Sequence, residues 1–135
     1  MILISACLAG EKCRYDGRDK AKTDLVELVE MGQAIALCPE ELGCMPTPRE
    51  PAERHGEQVL NSKGRDVTQS FIDGAKVAWD LVKEERIEKA ILKTNSPMCG
   101  CGTIYDGSFS GSKIKGDGVF TELLKEKNIP IETRD

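Results

Sequence analysis

The sequence predicts an α/β fold with a mostly parallel open sheet, and three features support this prediction. Short apolar segments alternate with longer segments whose apolar residues recur at helical spacing. The short segments are continuously apolar, which is typical of parallel strands covered on both faces. In chain order the segments read strand, helix, strand, helix, strand, helix, strand, which is the order of a doubly wound sheet.

The first strand and the first helix are predicted from the opening segment. Ile2–Ala6 is apolar and β-branched, and it leads into a loop that contains glycine. A helix is expected from Asp24 to Met31, because its apolar residues recur at helical spacing. Thr23 or Asp24 is the expected N-cap and Gly32 the expected stop.

The middle of the chain is expected to hold a second strand, a functional loop and a small hairpin. Ala34–Leu37 is the strand, and Pro39 ends it because proline cannot donate to a sheet ladder. Residues 39–56 contain four of the six prolines and show no clean periodicity. We interpret them as a functional loop. Gln58–Leu60 and Arg65–Val67 are expected to pair with each other across a glycine turn.

The remaining elements follow from stronger patterns. A long helix is expected from about Val67 to Glu85, where one apolar stripe recurs at helical spacing. Lys89–Lys93 is the third strand, Val119–Lys127 the last helix, and Ile129–Thr133 a fourth strand whose proline indicates an edge. The expected architecture is a single-domain, Rossmann-like open sheet with its site at the carboxyl ends of the strands. The stripe of the long helix comprises Phe71, Ala75, Ala78, Trp79 and Val82.

Size and composition exclude several classes of protein. A chain of 135 residues suffices for one domain that needs no disulfide bridges. We see neither a signal peptide nor a stretch near the roughly 20 apolar residues of a membrane span. A cytoplasmic protein with reduced thiols is therefore expected. The formal charge of -4 argues against a protein that wraps nucleic acid. The four aromatic residues Tyr15, Tyr105, Phe109 and Trp79 suffice for one base-sized ligand.

The six cysteines fall two each in three loops, at positions 7 and 13, 38 and 44, and 99 and 101. Cys7, Cys38 and Cys99 each stand at or just beyond the carboxyl end of a predicted strand. Because these ends meet at one edge of a parallel sheet, the three thiols are expected to converge. Three thiolates suit zinc or an iron–sulfur cluster. The spacings match neither zinc fingers nor ferredoxins, so any ligands are dispersed along the chain.

Three polar residues near these cysteines are candidates for chemistry. Glu40 is a candidate general acid or base, and its alternative role is that of a solvated carboxylate. Ser96 is placed to donate a hydrogen bond to a substrate, or is an ordinary turn serine. Arg49 is suited to hold a substrate oxygen, or pairs with Glu50 or Glu53.

Tyr-Asp-Gly occurs twice, at residues 15–17 and 105–107. Each aspartate is expected to cap backbone amides in a turn. His55, the only histidine, lies in a polar segment and is expected at the surface.

Three motifs in order resemble the 2-thiouracil desulfidase family, long catalogued as a domain of unknown function. They are Ser5-Ala6-Cys7-Leu8-x-Gly10 with Cys13-Arg14-Tyr15-Asp16-Gly17, Cys38-Pro39-Glu40 with Pro46-Thr47-Pro48-Arg49, and Ser96-Pro97-x-Cys99-Gly100 with Ile104-Tyr105-Asp106-Gly107. The resemblance covers nearly the whole chain. It implies that residues 1–135 form a single domain of this family.

What the resemblance implies is a [4Fe-4S] enzyme that removes sulfur from thiolated pyrimidines such as 2-thiouracil, giving uracil and hydrosulfide without redox turnover. The implied cluster ligands are Cys7, Cys38 and Cys99, and the open iron binds the substrate sulfur. Glu40 and Ser96 are the implied catalytic residues. A small-molecule substrate is expected, without membrane or nucleic-acid partners, in a monomer or a dimer.

Alternatives remain at this point. Cys44, Cys101 or Cys13 is an alternative ligand. A non-catalytic sulfur or metal carrier would need neither Glu40 nor Ser96. An enzyme with the same chemistry on thiolated transfer RNA nucleosides would need a basic patch. A related branch with an extra domain is linked to such a substrate, and the absence of that extension here favours a free base or nucleoside.

Overall fold

A computed structural model describes all of residues 1–135, and a four-stranded parallel sheet lies at its centre. The strand order is β2-β1-β5-β8, and every neighbouring pair is parallel. The predicted α/β open sheet is confirmed. In chain order the elements are β1 (Ile2–Ser5), a 3-10 helix (Ala6–Ala9), α1 (Thr23–Glu30), β2 (Ala34–Leu37), α2 (Pro39–Leu42), β3 (Ala52–His55), β4 (Gln58–Asn61), α3 (Thr68–Val82), β5 (Lys89–Lys93), β6 (Thr103–Tyr105), β7 (Lys113–Lys115), α4 (Val119–Glu126) and β8 (Ile131–Arg134).

Helices cover both faces of this sheet. Successive strand residues point to opposite faces, so Leu3 and Leu92 join one hydrophobic cluster while Ile4 and Ile91 join another. The first cluster includes the buried residues of α3 and α4, and the second includes Leu25 of α1. This double burial explains why β1, β2 and β5 contain continuous apolar segments, whereas the edge strand β8 does not.

The predicted helices are present, with shifted ends. α3 buries Phe71 and the other predicted stripe residues except Trp79, which is only partly buried. The N-cap prediction for α1 is wrong. Lys22 occupies that position without a side-chain cap, and the Asp24 carboxylate instead accepts from the Arg134 guanidinium. Gly32, at φ 71, ends the helix as expected, and its amide donates to the carbonyl of Val29.

The predicted pairing of residues 58–60 with 65–67 is confirmed only in part. The two segments meet antiparallel through the bridge between Leu60 and Asp66, flanked by backbone hydrogen bonds from Asn61 to Arg65 and from Val67 to Val59. The regular ladder of β4, however, is formed with β3. Gly56, at φ 62, makes the tight turn that lets β3 fold back on β4. The Asn61 side chain accepts hydrogen bonds from the amides of Lys63 and Arg65, and these bonds hold the turn that follows β4.

The carboxyl-terminal third contains a hairpin that was not predicted. β6 and β7 pair antiparallel within the segment that follows β5. β8 is an edge strand, as its proline indicated, and begins at Ile131. The longest helix, α3, has 15 residues, and no helix has the length and apolarity needed to cross a bilayer.

Two glycines allow α2 to pack against α3. A Cβ atom on Gly74 would collide with the carbonyl oxygen of Pro39, and one on Gly43 would collide with that of Ser70. The backbones of α2 and α3 are therefore in direct contact where the two helices cross. The contact fixes the position of α2, whose second residue is Glu40.

Candidate functional site

A cavity of about 530 Å³ opens at the carboxyl ends of β1, β2 and β5. β2 extends the sheet from β1 in one direction and β5 in the other, so the cavity lies where the strand order reverses. Ligands in open α/β sheets bind at such a point. Loops after β1, β2 and β5 line it, as do Glu53 in β3 and Phe109 between β6 and β7.

The predicted convergence of three thiols is confirmed. Cys7 in the 3-10 helix, Cys38 after β2 and Cys99 after β5 all line the cavity. Cys13 lines it as well, whereas Cys44 and Cys101 do not. All six cysteines are free.

Cys13 lies within bonding reach of two of the other thiols. The Cys38 sulfur is 3.8 Å from the carbonyl oxygen of Cys13, and the ligand atoms of Cys13, Cys38 and Glu41 lie within 4.8 Å of one another. The Cys13 thiol is within hydrogen-bonding reach of Cys7 and of Cys38 and lowers the pKa of each, although its one hydrogen bonds only one of them at a time. Hydrogen bonding with these two thiols and burial raise the pKa of Cys13 itself. Cys7 and Cys38 are therefore the readier thiolates, with Cys13 as their donor.

Cys99 has a different environment. Burial raises the pKa of its thiol, and a hydrogen bond with Ser5 opposes that rise. Ser5 is itself buried, and its Oγ accepts from the amide of Lys93 at 3.0 Å. Ser5 thus joins β1 to β5 beneath Cys99. Sequence reasoning included Ser5 in a motif but assigned it no role, because a serine inside a strand gives no signal of the sulfur beside it.

Glu40 lies in the cavity beside Arg49. The guanidinium Nε of Arg49 donates to Glu40 Oε1 at 3.2 Å, and the Arg49 side chain is only 7% exposed. Burial raises the pKa of the Glu40 carboxyl, which Arg49 offsets only in part. Arg49 also donates to the carbonyl of Cys13 at 2.8 Å and to the hydroxyl of Thr47 at 2.8 Å. The alternative partners proposed for Arg49, Glu50 and Glu53, are wrong.

Ser96 begins the turn that presents Cys99. Its Oγ accepts from the amides of Met98 and Cys99, each at 3.0 Å. A hydroxyl oxygen has two acceptor positions and one hydrogen to donate. With both acceptor positions used, the hydroxyl hydrogen is free for another partner, and Ser96 lines the cavity.

Cations line the cavity although the whole chain is acidic. Arg14, Lys20 and Lys93 join Arg49 there. Lys93 Nζ donates to Asp135 at 2.7 Å and lowers the pKa of that carboxyl to about 2. Three carboxylates, Glu40, Glu53 and Asp135, line the cavity as well, so its four cations exceed its anions by one.

The remaining predicted residues lie where the motifs indicated. Asp16 accepts from the amide of Arg18, and Asp106 from the amide of Ser108, so both aspartates cap turns as predicted. His55 is exposed and does not line the cavity.

The donor set suits a soft metal or an iron–sulfur cluster. Buried thiols gather at one wall, and hydrogen bonds already favour thiolate at two of them. A carboxylate and a hydroxyl share the cavity, so a substrate held there has groups for proton transfer and hydrogen bonding within the same space.

Comparison with known proteins gives consistent results. A family model described as 2-thiouracil desulfurase matches residues 2–135. The uncharacterized protein YbbK of Bacillus subtilis (strain 168) is 46% identical over 136 residues, covering 93% of this chain and 90% of that protein. A solved structure described as the [4Fe-4S]-dependent thiouracil desulfidase TudS is 45% identical with a TM-score of 0.93, covering 99% of this chain and 90% of its own.

Proposed function

The chain belongs to the 2-thiouracil desulfurase family, and we propose that it is a [4Fe-4S]-dependent desulfidase of 2-thiouracil or a related thiolated pyrimidine. The products are uracil and hydrosulfide, so the net reaction is a hydrolysis without redox turnover. The observation that supports this proposal is the shared cavity of the buried thiols, Glu40 and Ser96. The similarity to a thiouracil desulfidase over 99% of the chain adds to it.

Cys7, Cys38 and Cys99 are the proposed cluster ligands, because each leaves a different strand of one sheet and lines one wall. When bound, the cluster supplies an iron with an open coordination position, a Lewis acid toward the thiocarbonyl sulfur. The Cys13 thiol donates to its neighbours instead of ligating, and Ser5 orients Cys99. Such outer hydrogen bonds fix ligand direction at metal sites.

Glu40 is the proposed general base. Burial raises the pKa of the Glu40 carboxyl and so brings it closer to pH 7, where a base can both take up and release a proton. It takes one proton from the water whose oxygen bonds to the thiocarbonyl carbon and returns that proton to the sulfur as the C–S bond breaks. The remaining hydroxyl proton passes to solvent as the C=O bond of uracil forms, so the sulfur leaves as hydrosulfide. Arg49 positions Glu40, and the Ser96 hydroxyl donates to a heteroatom of the pyrimidine.

Glu40→Gln separates this enzyme from a non-catalytic sulfur or metal carrier. Glutamine keeps an oxygen that can accept from Arg49 but cannot take a proton, so kcat should fall about 10²- to 10⁴-fold. Iron content should stay at the wild-type level because Glu40 is outside the thiol set. Glu50→Gln, an exposed carboxylate bonded to Ser62, is the matched control and should keep full activity.

The carrier hypothesis gives the opposite result. A carrier needs no general base, so Glu40→Gln would then bind and deliver sulfur or metal as wild type does, and neither protein would turn over 2-thiouracil. That outcome would reject the enzymatic role.

A further inference from the structure

Phe109 is a large apolar side chain that the fold leaves partly exposed within the cavity. It lines the cavity and is 39% exposed. Its backbone has φ 55, in the left-handed region that bulky residues rarely adopt. A residue stays in that region only when its surroundings hold it there, and such residues cluster at ligand sites.

Polar contacts hold the Phe109 loop, defined here as residues 106–112. Glu53 Oε1 accepts from the amides of Gly107 and Phe109, at 3.0 and 3.1 Å. Gly107 has φ 94, and a Cβ atom there would lie 2.9 Å from the carbonyl oxygen of Arg54. The backbone of the Phe109 loop therefore packs directly against β3. Burial of the phenyl ring does not account for the loop's conformation.

Two further aromatic residues line the cavity, and both already have a cation near the ring. The Arg14 guanidinium lies 5.7 Å from the ring centroid of Tyr15, which is 40% exposed. Lys113 Nζ lies 5.7 Å from the ring centroid of Tyr105. Phe109 has no such cation partner. Of the three rings, Phe109 alone has neither face near a cation, so both its faces are open to a neutral planar ligand.

We propose that Phe109 stacks on the pyrimidine ring of the substrate and selects planar, unsaturated heterocycles among thiocarbonyl compounds. This inference rests on the proposed function and deepens it. Stacking on an aromatic side chain tolerates many bases because each has a π face. Phe109 therefore contacts the face of the pyrimidine ring, while Glu40 and Ser96 act at its thiocarbonyl group. Glu53 is a positioning residue that acts through the Phe109 loop.

The test compares three ligands that share a thiocarbonyl group. 2-Thiouracil is planar and unsaturated, its 5,6-dihydro form has the same ring atoms without the conjugated face, and thiourea lacks the ring. Affinity and steady-state kinetics are measured on cluster-loaded wild type, Phe109→Ala, Phe109→Leu and Phe109→Trp. Met31→Ala, an apolar residue that is 66% exposed and outside the cavity, is the control.

Stacking predicts a rise in KM and in dissociation constant of about 5- to 100-fold for 2-thiouracil in Phe109→Ala. Because the contact is equally present in ground and transition states, kcat should stay within about twofold. The dihydro compound and thiourea should lose less than about threefold. Phe109→Trp should restore affinity and Phe109→Leu should not, since leucine is apolar without a π face.

Three results would overturn the inference: wild-type affinity in Phe109→Ala, full rescue by leucine, or an equal loss for the dihydro compound. The proposed function fails separately. If wild type binds 2-thiouracil through Phe109 but releases no hydrosulfide, the desulfidase role is rejected and the stacking site is retained. If wild type turns over 2-thiouracil and Phe109→Ala is unaffected, only the stacking site is rejected.

Discussion

At the scale of single residues, the cysteines divide by whether their side chains reach the cavity. Cys7, Cys38 and Cys99 line it from three strands, Cys13 lines it as a hydrogen-bond donor, and the other two do not line it. A serine hydroxyl is a much poorer ligand for a cluster iron than a thiolate, because it is a hard donor and stays protonated near neutral pH. Substitutions at these positions therefore give distinct outcomes.

We expect Cys7→Ser, Cys38→Ser and Cys99→Ser each to lose bound iron and acid-labile sulfide after anaerobic reconstitution. Cys44→Ser and Cys101→Ser are the matched controls and should keep both at the wild-type level. Elemental analysis with an absorption spectrum makes the measurement. Loss of iron in Cys13→Ser with retention in Cys99→Ser would instead assign the ligands to Cys7, Cys13 and Cys38.

Arg49 is placed to position Glu40, the proposed general base, through several contacts. It holds Glu40, Thr47 and the carbonyl of Cys13 at once. Lysine keeps the charge but lacks the planar fork, so Arg49→Lys should misplace Glu40. We expect kcat to fall about 10- to 100-fold with KM and iron content nearly unchanged.

Arg86→Lys, at an exposed site, is the control for Arg49→Lys. An unchanged kcat in Arg49→Lys, measured by steady-state kinetics, would show that Arg49 does not position the base. The Glu40–Arg49 pair was not predicted because residues 39–56, in which the two lie nine positions apart, show no periodicity in sequence. The segment expected to be a loop contains α2 and β3, with Glu40 in α2 and Arg49 in the irregular stretch between them, and sequence spacing gives contacts only within regular elements.

At the scale of elements, the crossing of α2 and α3 sets the position of Glu40. Gly74→Ala places a methyl group against the carbonyl of Pro39, the first residue of α2. We expect the free energy of unfolding to fall by about 3 kcal/mol, as in overpacked cores. Activity should fall even at temperatures where the variant stays folded, because α2 has to shift.

Urea unfolding and turnover at low temperature measure these two effects. Lys76→Ala, two residues further along the same helix and exposed, should change stability by less than about 0.5 kcal/mol. If Gly74→Ala were as stable and active as wild type, close packing at this crossing would not be what positions Glu40.

The elements that sequence predicted well are those with a single strong pattern. β1, β2 and β5 each contain a continuous apolar segment, and α3 has a regular apolar stripe, so the sequence indicated which of their residues are buried. β6 and β7 were missed because each has only three residues and all three of β7, Lys113-Ile114-Lys115, are exposed, so the pattern is too short to indicate a strand. The main partner of β4 was missed because a glycine at positive φ stands in the turn on either side of it, Gly56 and Gly64. Only tertiary contacts choose between them.

At the scale of the whole molecule, the net charge of -4 contrasts with the cations around the cavity. A free base makes no phosphate contacts, so its KM should change by less than about twofold between about 50 and 200 mM salt. A polymer substrate held through several phosphates would lose orders of magnitude in affinity over that range. Desulfidation of a thiolated transfer RNA with such a salt dependence would favour the nucleic-acid alternative.

The most direct test of the account is hydrosulfide release from 2-thiouracil by protein reconstituted without oxygen. The account predicts one hydrosulfide and one uracil per 2-thiouracil consumed, without added reductant or oxidant, and no turnover by the protein lacking iron. Equal turnover without iron, or a strict need for an electron donor, would contradict it. So would tight binding of 2-thiouracil by the cluster-loaded protein without release of product.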